Sequence, residues 1–282
     1  MIKKIDIDKL FDKYIEGFVY ANIGKIKPEE IEDKIPVLYE EFGNASIKEL
    51  DGKTPNTFYK EFSAKELLNC LKEHLEKGVP VSDFLCEAIT SAENAGEELL
   101  NALSCDYSDN GEEFTAYLMN MISDTGTQVP VSRYLEFITG DYPENIGELA
   151  TEFLCKTAEN VKESVLNAYE SSSGKGRERI VEILSNIKND ERVFEILVCE
   201  FINRKENIPL YSSYLVKYGD PRAIEKLTEV IESDKIKYSD FEELRFAIEA
   251  LGGEYNKTRD FSSDSTYKKI CGVKRPHRVP RA

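Results

Sequence analysis

Apolar residues recur with the period of an amphipathic helix along almost the whole chain. One such stripe, spaced as on a single helix face, comprises Ile31, Ile35, Leu38 and Phe42. Pro28 precedes the stripe, where its missing N–H is tolerated at a helix start, and Gly43 follows it as a helix end. This spacing predicts one helix from Pro28 to Phe42. No segment alternates apolar and polar residues as a strand does, so the pattern predicts an all-α protein.

Several predicted helix starts carry capping residues. Ser63 and Glu66 form a Ser-x-x-Glu capping box ahead of an apolar stripe, and Ser239 and Glu242 form a second one. Asp220-Pro221 joins an N-cap residue to a proline at the first helical position. These residues predict helices that begin directly after Ser63, Asp220 and Ser239.

A helical unit of about 30–33 residues recurs in the second half of the chain. The segment NDERVFEILVCEF, from Asn189, aligns with GDPRAIEKLTEVI, from Gly219. The alignment pairs Asp190 with Asp220, Arg192 with Arg222, and Leu197 with Leu227. Each of these helices is followed by a second one, and Leu227 is expected to be buried between the two helices of its unit.

Shorter similarities extend toward the N-terminus. Val-Pro-Val-Ser occurs at 79–82 and again at 129–132, and PVSRYLEFITGD is similar to PLYSSYLVKYGD. A single helical pair cannot bury its own apolar stripe, so stacking of the pairs is expected to merge their stripes into one continuous core. The chain is therefore divided into an N-terminal helical cap (1–50), divergent helical repeats (51–142), regular helical repeats (143–260) and a basic tail (261–282).

The regular repeats carry a family resemblance. Their Asp-x-Arg-Ala/Val helix starts and the junction YSSYLVKYGDPRAIEKL resemble HEAT-like (armadillo-type) repeats. The D-G-K-T-P turn at Asp51–Pro55 and the junction Tyr211–Asp220 are similar to a set of uncharacterised bacterial HEAT-repeat proteins. The resemblance covers residues 143–253 closely and 51–141 loosely. It implies an α-solenoid, that is a right-handed superhelix of HEAT-like helix-turn-helix repeats with an N-terminal helical cap, and a binding or scaffolding role.

The charge distribution narrows the class of partner. The 282 residues include 53 acidic and 37 basic ones, for a net charge of −16. Residues 265–282 contain six basic residues and no acid, so the rest of the chain carries −22. Because an acidic body repels phosphate, we expect no nucleic acid on the body and a protein or peptide partner with a basic segment. The tail is expected to be disordered, to dock on the chain's own acidic surface, or to deliver the body to nucleic acid or an anionic membrane.

The six cysteines and the terminal sequence indicate a compartment. The cysteines are spread singly, mostly within apolar runs, as is typical of free thiols that pack as small hydrophobes. The first residues lack the apolar run of a signal peptide, and no segment approaches the length of a membrane span. We therefore expect a cytoplasmic protein that does not bind a membrane through its body.

Candidate metal and phosphate motifs are incomplete. Cys70 and His74 have the spacing of half a zinc site, but the second histidine, His277, lies far along the chain. The segment Tyr267–Gly272 resembles the end of the zinc-binding SEC-C motif and lacks its leading Cys-x-Cys. The Gly-Lys pair in Ser171–Gly176 lacks P-loop spacing and is predicted to be a turn between two helices. We expect no metal and no cofactor.

Candidate functional residues are correspondingly few. No nucleophile elbow or other catalytic motif is present, so no catalytic residue is assigned and the chain is expected not to be an enzyme. Tyr134, Tyr211 and Tyr214 are candidate binding residues, either as core rings or as exposed anchors for a partner. The predicted function is a non-enzymatic protein- or peptide-binding scaffold. The alternative is a HEAT-scaffold enzyme or small-ligand binder, for example one that processes nucleic acid, which the acidic body and the missing motifs disfavour.

Overall fold

The structure, a computed structural model, describes residues 2–24 and 27–271. Within these residues all regular structure is helical, with seventeen α-helices, two short 3₁₀ helices and no strand. The all-α prediction is confirmed.

The chain divides into two compact units. Unit 1 runs through Arg133 and also includes Pro143–Leu149, and unit 2 comprises Tyr134–Tyr142 and the chain from Ala150 onward. The helices of unit 1 are α1 (Ile7–Ala21), α2 (Pro28–Glu32), α3 (Ile35–Gly43), a 3₁₀ helix (Lys48–Leu50), α4 (Pro55–Phe58), α5 (Ala64–Glu76), α6 (Asp83–Ser91), α7 (Ala95–Leu103) and α8 (Tyr107–Asp124). The division itself passes through α9 (Val131–Thr139) and α10 (Glu144–Lys156). Unit 2 continues with α11 (Ala158–Ser171), α12 (Gly174–Leu184), α13 (Glu191–Asn203), a 3₁₀ helix (Lys205–Asn207), α14 (Ile208–Tyr218), α15 (Ala223–Ile231), α16 (Tyr238–Ala250) and α17 (Ser265–Cys271).

In unit 1, α5 lies at the centre of the packing. It contacts α6, α7 and α8, while α1 contacts α3. The capping box at its start is confirmed, because the Ser63 hydroxyl accepts a hydrogen bond from the Glu66 N–H and Glu66 Oε2 accepts one from the Ser63 N–H. Buried leucines such as Leu67 and Leu71 then face the core. The capping box therefore fixes where the central helix of this unit begins.

The structure differs from the helix predicted from Pro28 to Phe42 and from the helix start predicted at Ser239. The single helix predicted from Pro28 to Phe42 is two helices, α2 and α3, separated at residues 33–34. Pro36 explains the break, because a proline has no N–H to donate and its ring clashes with the carbonyl four residues earlier. The Ser239 capping box does not form either, since α16 already begins at Tyr238.

Unit 2 consists of paired helices. α11 packs against α12, α13 against α14, and α15 against α16. Neighbouring pairs also touch, through α12 with α13, α13 with α15, and α14 with α16. Leu197 and Leu227, matched in the sequence, are both buried, which confirms the predicted burial of Leu227.

The two aligned Asp-x-Arg segments adopt the same local structure. Oδ1 of Asp190 accepts a hydrogen bond from the Arg192 N–H at 3.1 Å, and Oδ1 of Asp220 accepts one from the Arg222 N–H at 2.9 Å. Asp220 nevertheless lies further from its helix than predicted, because a turn at 221–222 precedes α15. The sequence repeat is thus also a repeat of the hydrogen bond between the aspartate side chain and the arginine N–H.

A cluster of aromatic rings ends the described part of unit 2. Tyr238 contacts Phe261 and Tyr267 at ring-centroid distances of 5.4 and 5.0 Å, and Phe241 contacts Phe261 at 5.0 Å. The Asp264 carboxylate accepts hydrogen bonds from the Thr266 and Tyr267 N–H groups and thereby caps α17. The first residues of the predicted tail therefore fold onto α16, whereas residues 272–282 lie outside the described residues.

Candidate functional site

The three tyrosines considered as binding residues are all buried. Tyr134, Tyr211 and Tyr214 expose 1%, 3% and 6% of their surface. Tyr211 and Tyr214 pack edge to face at 5.7 Å, and Tyr134 lies 6.0 Å from Phe153. Burial raises the pKa of all three phenols. We therefore place these rings in the core of unit 2, where they offer a partner no surface.

A buried ion cluster in unit 2 was not predicted. Glu200 of α13 exposes only 5% of its surface, and its Oε1 accepts hydrogen bonds from the Tyr169 hydroxyl and from Arg177 Nε, both at 2.7 Å. Arg204 Nε donates to Oε2 of the same carboxylate at 3.3 Å. Arg177 also donates to the Tyr169 hydroxyl oxygen and lies over the Tyr169 ring, 4.0 Å from its centroid. The carboxylate is thus surrounded by three donors.

The electrostatics of this cluster favour the ionised carboxylate. Burial alone would raise the pKa of Glu200, but the hydrogen bonds from Tyr169, Arg177 and Arg204 outweigh it and hold that pKa below its usual range. Burial, and after it the bond to Glu200, raises the pKa of Tyr169 to about 12. A cavity of about 410 Å³ lies beside the cluster, lined also by Ser173 and Gly174 of the predicted turn. Every charged group in the cluster has a partner, and the contacts join α11, α12 and α13.

The sequence does contain a signal for this cluster. Glu200 follows Val193 and Leu197 at the spacing of one helix face and directly precedes the buried Phe201. A carboxylate within such a stripe must be paired or neutralised when the helix packs.

The Cys70 and His74 pair is buried in unit 1. His74 Nδ1 lies 3.1 Å from the Pro80 carbonyl oxygen, while its Nε2 is buried with no hydrogen-bond partner. Burial raises the pKa of the Cys70 thiol to about 11. Within residues 2–24 and 27–271, no group of three or more His, Cys, Asp or Glu side chains is arranged to hold a metal ion. His277 and the end of the SEC-C-like segment lie outside the described residues.

A concentration of carboxylates covers part of unit 1. Between residues 78 and 133 the sequence contains ten acidic residues and one basic residue, Arg133. Five carboxylates on α1, α6 and α8 lie near the half-buried Cys86 or Tyr117, and we call them the acidic surface: Asp8, Asp83, Glu87, Glu113 and Asp124. After burial, the charges of Asp83, Asp124 and Glu87 raise the pKa of Cys86 to about 11. All five side chains are exposed. Glu87, Glu113 and Asp124 form no salt bridge within the described part of the chain.

A cavity of about 660 Å³ adjoins the acidic surface. Its lining includes three aromatic side chains, Tyr59, Phe62 and Phe84, and four exposed charged residues, Lys60, Glu61, Glu87 and Glu93. Glu87 belongs to both the cavity and the acidic surface. Unit 1 therefore presents a recess of mixed polar and apolar lining that contains charges of both signs.

Among the helices of the described residues, none combines the length and apolar character needed to cross a bilayer. Comparison of the chain with protein-family models, with curated proteins and with solved structures found no match in any of the three.

Proposed function

We propose that this protein is a non-enzymatic scaffold that binds a protein or peptide partner through a basic segment. In this proposal its helical pairs form a HEAT-like α-solenoid, a right-handed superhelix with an N-terminal helical cap. The pairing of α11 to α16 and the repeated Asp-x-Arg contacts support the solenoid. An experimental structure in which each pair is rotated in the same sense against the preceding pair would support it further, and pairs around one central core would contradict it.

The acidic surface of unit 1 carries the functional proposal. Exposed carboxylates without salt-bridge partners repel one another, and a cationic segment relieves that repulsion when it binds. The charges acting on Asp8 illustrate the repulsion, because burial, and after it Asp6, Asp83 and Asp12, raises the pKa of this carboxyl. A basic segment is therefore the partner chemistry that this surface favours.

The test measures binding of a nine-residue peptide with alternating lysine and serine by fluorescence anisotropy at several salt concentrations. The peptide is expected to bind at low salt and to weaken as screening increases, while a glutamate–serine peptide does not bind. The double variant Glu113→Lys/Asp124→Lys is expected to bind about tenfold more weakly.

The matched control changes the same net charge in unit 2. Glu225→Lys/Glu249→Lys alters two exposed carboxylates outside the acidic surface and is expected to leave affinity within about twofold. Equal losses in both double variants would show that only net charge matters, which contradicts a site on unit 1.

A further inference from the structure

We infer that the surface on which residues 255–261 lie is a binding site for an extended segment of a partner protein. These residues, which we call the strap, form neither helix nor strand and lie against α15 and α16. The site consists of unit 2 residues only, so it goes beyond the acidic surface of unit 1 on which the proposed function rests. The strap is the chain's own occupant of this site, and a partner segment of the same chemistry takes its place.

Every second residue of the strap contacts the α15–α16 pair. The contacting residues are Tyr255, Lys257, Arg259 and Phe261. The residues between them are exposed, and these are Asn256, Thr258 and Asp260. Because successive side chains of an extended chain point to opposite sides, one side of the strap is bound and the other faces outward. The order along the bound side is aromatic, basic, basic, aromatic.

The two aromatic residues of the strap pack on the same residue of α16. Phe241 lies 5.9 Å from the Tyr255 ring and 5.0 Å from the Phe261 ring, as measured between ring centroids. Phe261 also contacts Tyr238 at 5.4 Å and is itself buried. Phe241 is buried with the strap in place, so the strap supplies part of its cover. A segment that lacks either aromatic residue loses one of these ring contacts.

The two basic residues of the strap bind just beyond the carboxyl end of α15. Arg259 Nη2 donates to the Glu232 carbonyl oxygen at 3.2 Å, and Nη1 donates to the Ser233 carbonyl oxygen. These carbonyls follow Ile231, the last residue of α15, at the negative end of the helix dipole. Lys257 pairs with the Glu232 carboxylate. The site therefore favours cations at both positions between the rings.

The strap is held by its side chains. Between residues 254 and 260, no backbone group is hydrogen-bonded to another backbone group within the part of the chain that the structure describes. Lys257 also exposes 70% of its side chain. A segment with exposed backbone and few buried contacts opens at a lower free-energy cost than packed helices do. A partner segment needs only the same alternating side chains to form the same contacts.

The test uses the full chain and a fluorescein-labelled peptide of residues 254–262, EYNKTRDFS, with both ends blocked. The tethered strap of the wild-type chain competes with this peptide at an effective concentration on the order of mM. Tyr255→Ser/Phe261→Ser removes both rings from the strap. We expect this variant to bind the peptide at least about tenfold more tightly than wild type, as measured by anisotropy. Asn256→Ser/Thr258→Ser, at exposed strap positions, is the matched control and should bind as wild type does.

A second variant and a second peptide make the test specific. Lys257→Ser/Arg259→Ser weakens the strap through its cations and should give the same direction of gain, and circular dichroism shows that the variants keep their helices. The peptide EYKNRTDFS has the same composition and net charge but moves the basic residues to the outward side, so we expect about tenfold weaker binding to the Tyr255→Ser/Phe261→Ser variant. Equal binding of the two peptides, or no gain in either strap variant, would overturn the inference, whatever the lysine–serine peptide shows.

Discussion

Arg222 binds Glu191, 31 residues earlier in the chain, through both terminal guanidinium nitrogens, each 2.9 Å from a carboxylate oxygen. The same arginine binds Asp220 of its own turn. Arg192, in the aligned position, binds Glu163 at 3.0 and 2.7 Å, and also Asp190. Arg222 therefore links the start of α15 to α13, and Arg192 links the start of α13 to α11. These three are the first helices of successive pairs, so the ion pairs recur with the sequence repeat.

Replacing Arg222 tests how much the bidentate geometry of its bond to Glu191, as distinct from its charge, contributes to stability. Its guanidinium also lies over the Phe194 ring, 4.2 Å from the centroid. Arg222→Lys keeps the charge but loses the two-pronged bond and the stacking, so we expect a lower Tm. Glu191→Gln leaves the stacking and the Asp220 bond in place and is expected to lower Tm less. Thermal denaturation at low and high salt measures both; a Tm for Arg222→Lys equal to wild type would show that stacking and bidentate geometry contribute nothing.

The buried Leu227 reports on packing within its helical pair. Because the side chain is fully buried, Leu227→Ala removes apolar contacts and leaves a cavity, at a cost of about 2–5 kcal/mol in the free energy of unfolding. Denaturant unfolding gives this value. Glu225→Ala, at an exposed position of the same helix, serves as control and should change stability by less than about 0.5 kcal/mol.

Glu200 should make stability depend on pH. Its pKa is lower in the folded chain than in the unfolded chain, so the cluster stabilises the fold above the unfolded pKa of about 4.3 and loses that contribution as the pH falls through the folded value. Glu200→Gln removes the charge that Arg177 and Arg204 bind, and we expect a loss of about 2–3 kcal/mol at pH 7. The difference between variant and wild type should shrink in acid. A pH-independent difference would show that the carboxylate charge plays no part.

Two glycines should respond to alanine in opposite directions. A Cβ on Gly176 would lie 3.0 Å from the Ile138 carbonyl oxygen and 3.1 Å from the Thr139 Cα, both backbone atoms. Gly176→Ala is therefore expected to destabilise unit 2 by about 1–3 kcal/mol. Gly17, within α1, has no atom within 4 Å of the same position, and Gly17→Ala should stabilise the helix by about 0.5–1 kcal/mol. Urea unfolding measures the change in stability of both variants. If Gly176→Ala is as stable as the wild type, α12 and α9 move apart at little cost in free energy.

The basic residues after α17 should compete with a basic partner. Residues 272–282 contain four basic residues and no acid. If they dock on the acidic surface, a chain that ends at Cys271 will bind the lysine–serine peptide more tightly, and the gain will disappear at high salt. Identical affinity of the two chains at low salt would argue against docking.

Helix content and the aligned repeat were predictable because both depend on local sequence. The capping box at Ser63 and the burial of Leu227 follow from spacing alone. Pro36 is a sequence signal for the break between α2 and α3. The apolar stripe nevertheless predicts one continuous helix, because it keeps the same helical phase on both sides of the break.

The candidate site was less predictable because it depends on residues distant in sequence. The cluster around Glu200 joins Tyr169 and Arg177 to it across 31 and 23 residues. The cavity likewise combines α4, the turn that follows it, and α6. Periodicity identifies which side of a helix is buried, but it does not state which helix lies opposite, so neither arrangement could be predicted from spacing.

The packing of Phe261 and of Tyr267 in α17 on α16 has a consequence for the proposed array of helical pairs. A pair in the middle of such an array has neighbours on two sides, whereas the last pair has an apolar side that another chain could adopt as its own next neighbour. Phe261 and Tyr267 occupy that side against Tyr238 and Phe241. In the proposed solenoid, Phe261 and α17 therefore cover the apolar side of the last described pair, and we expect a chain without them to expose that side to other copies.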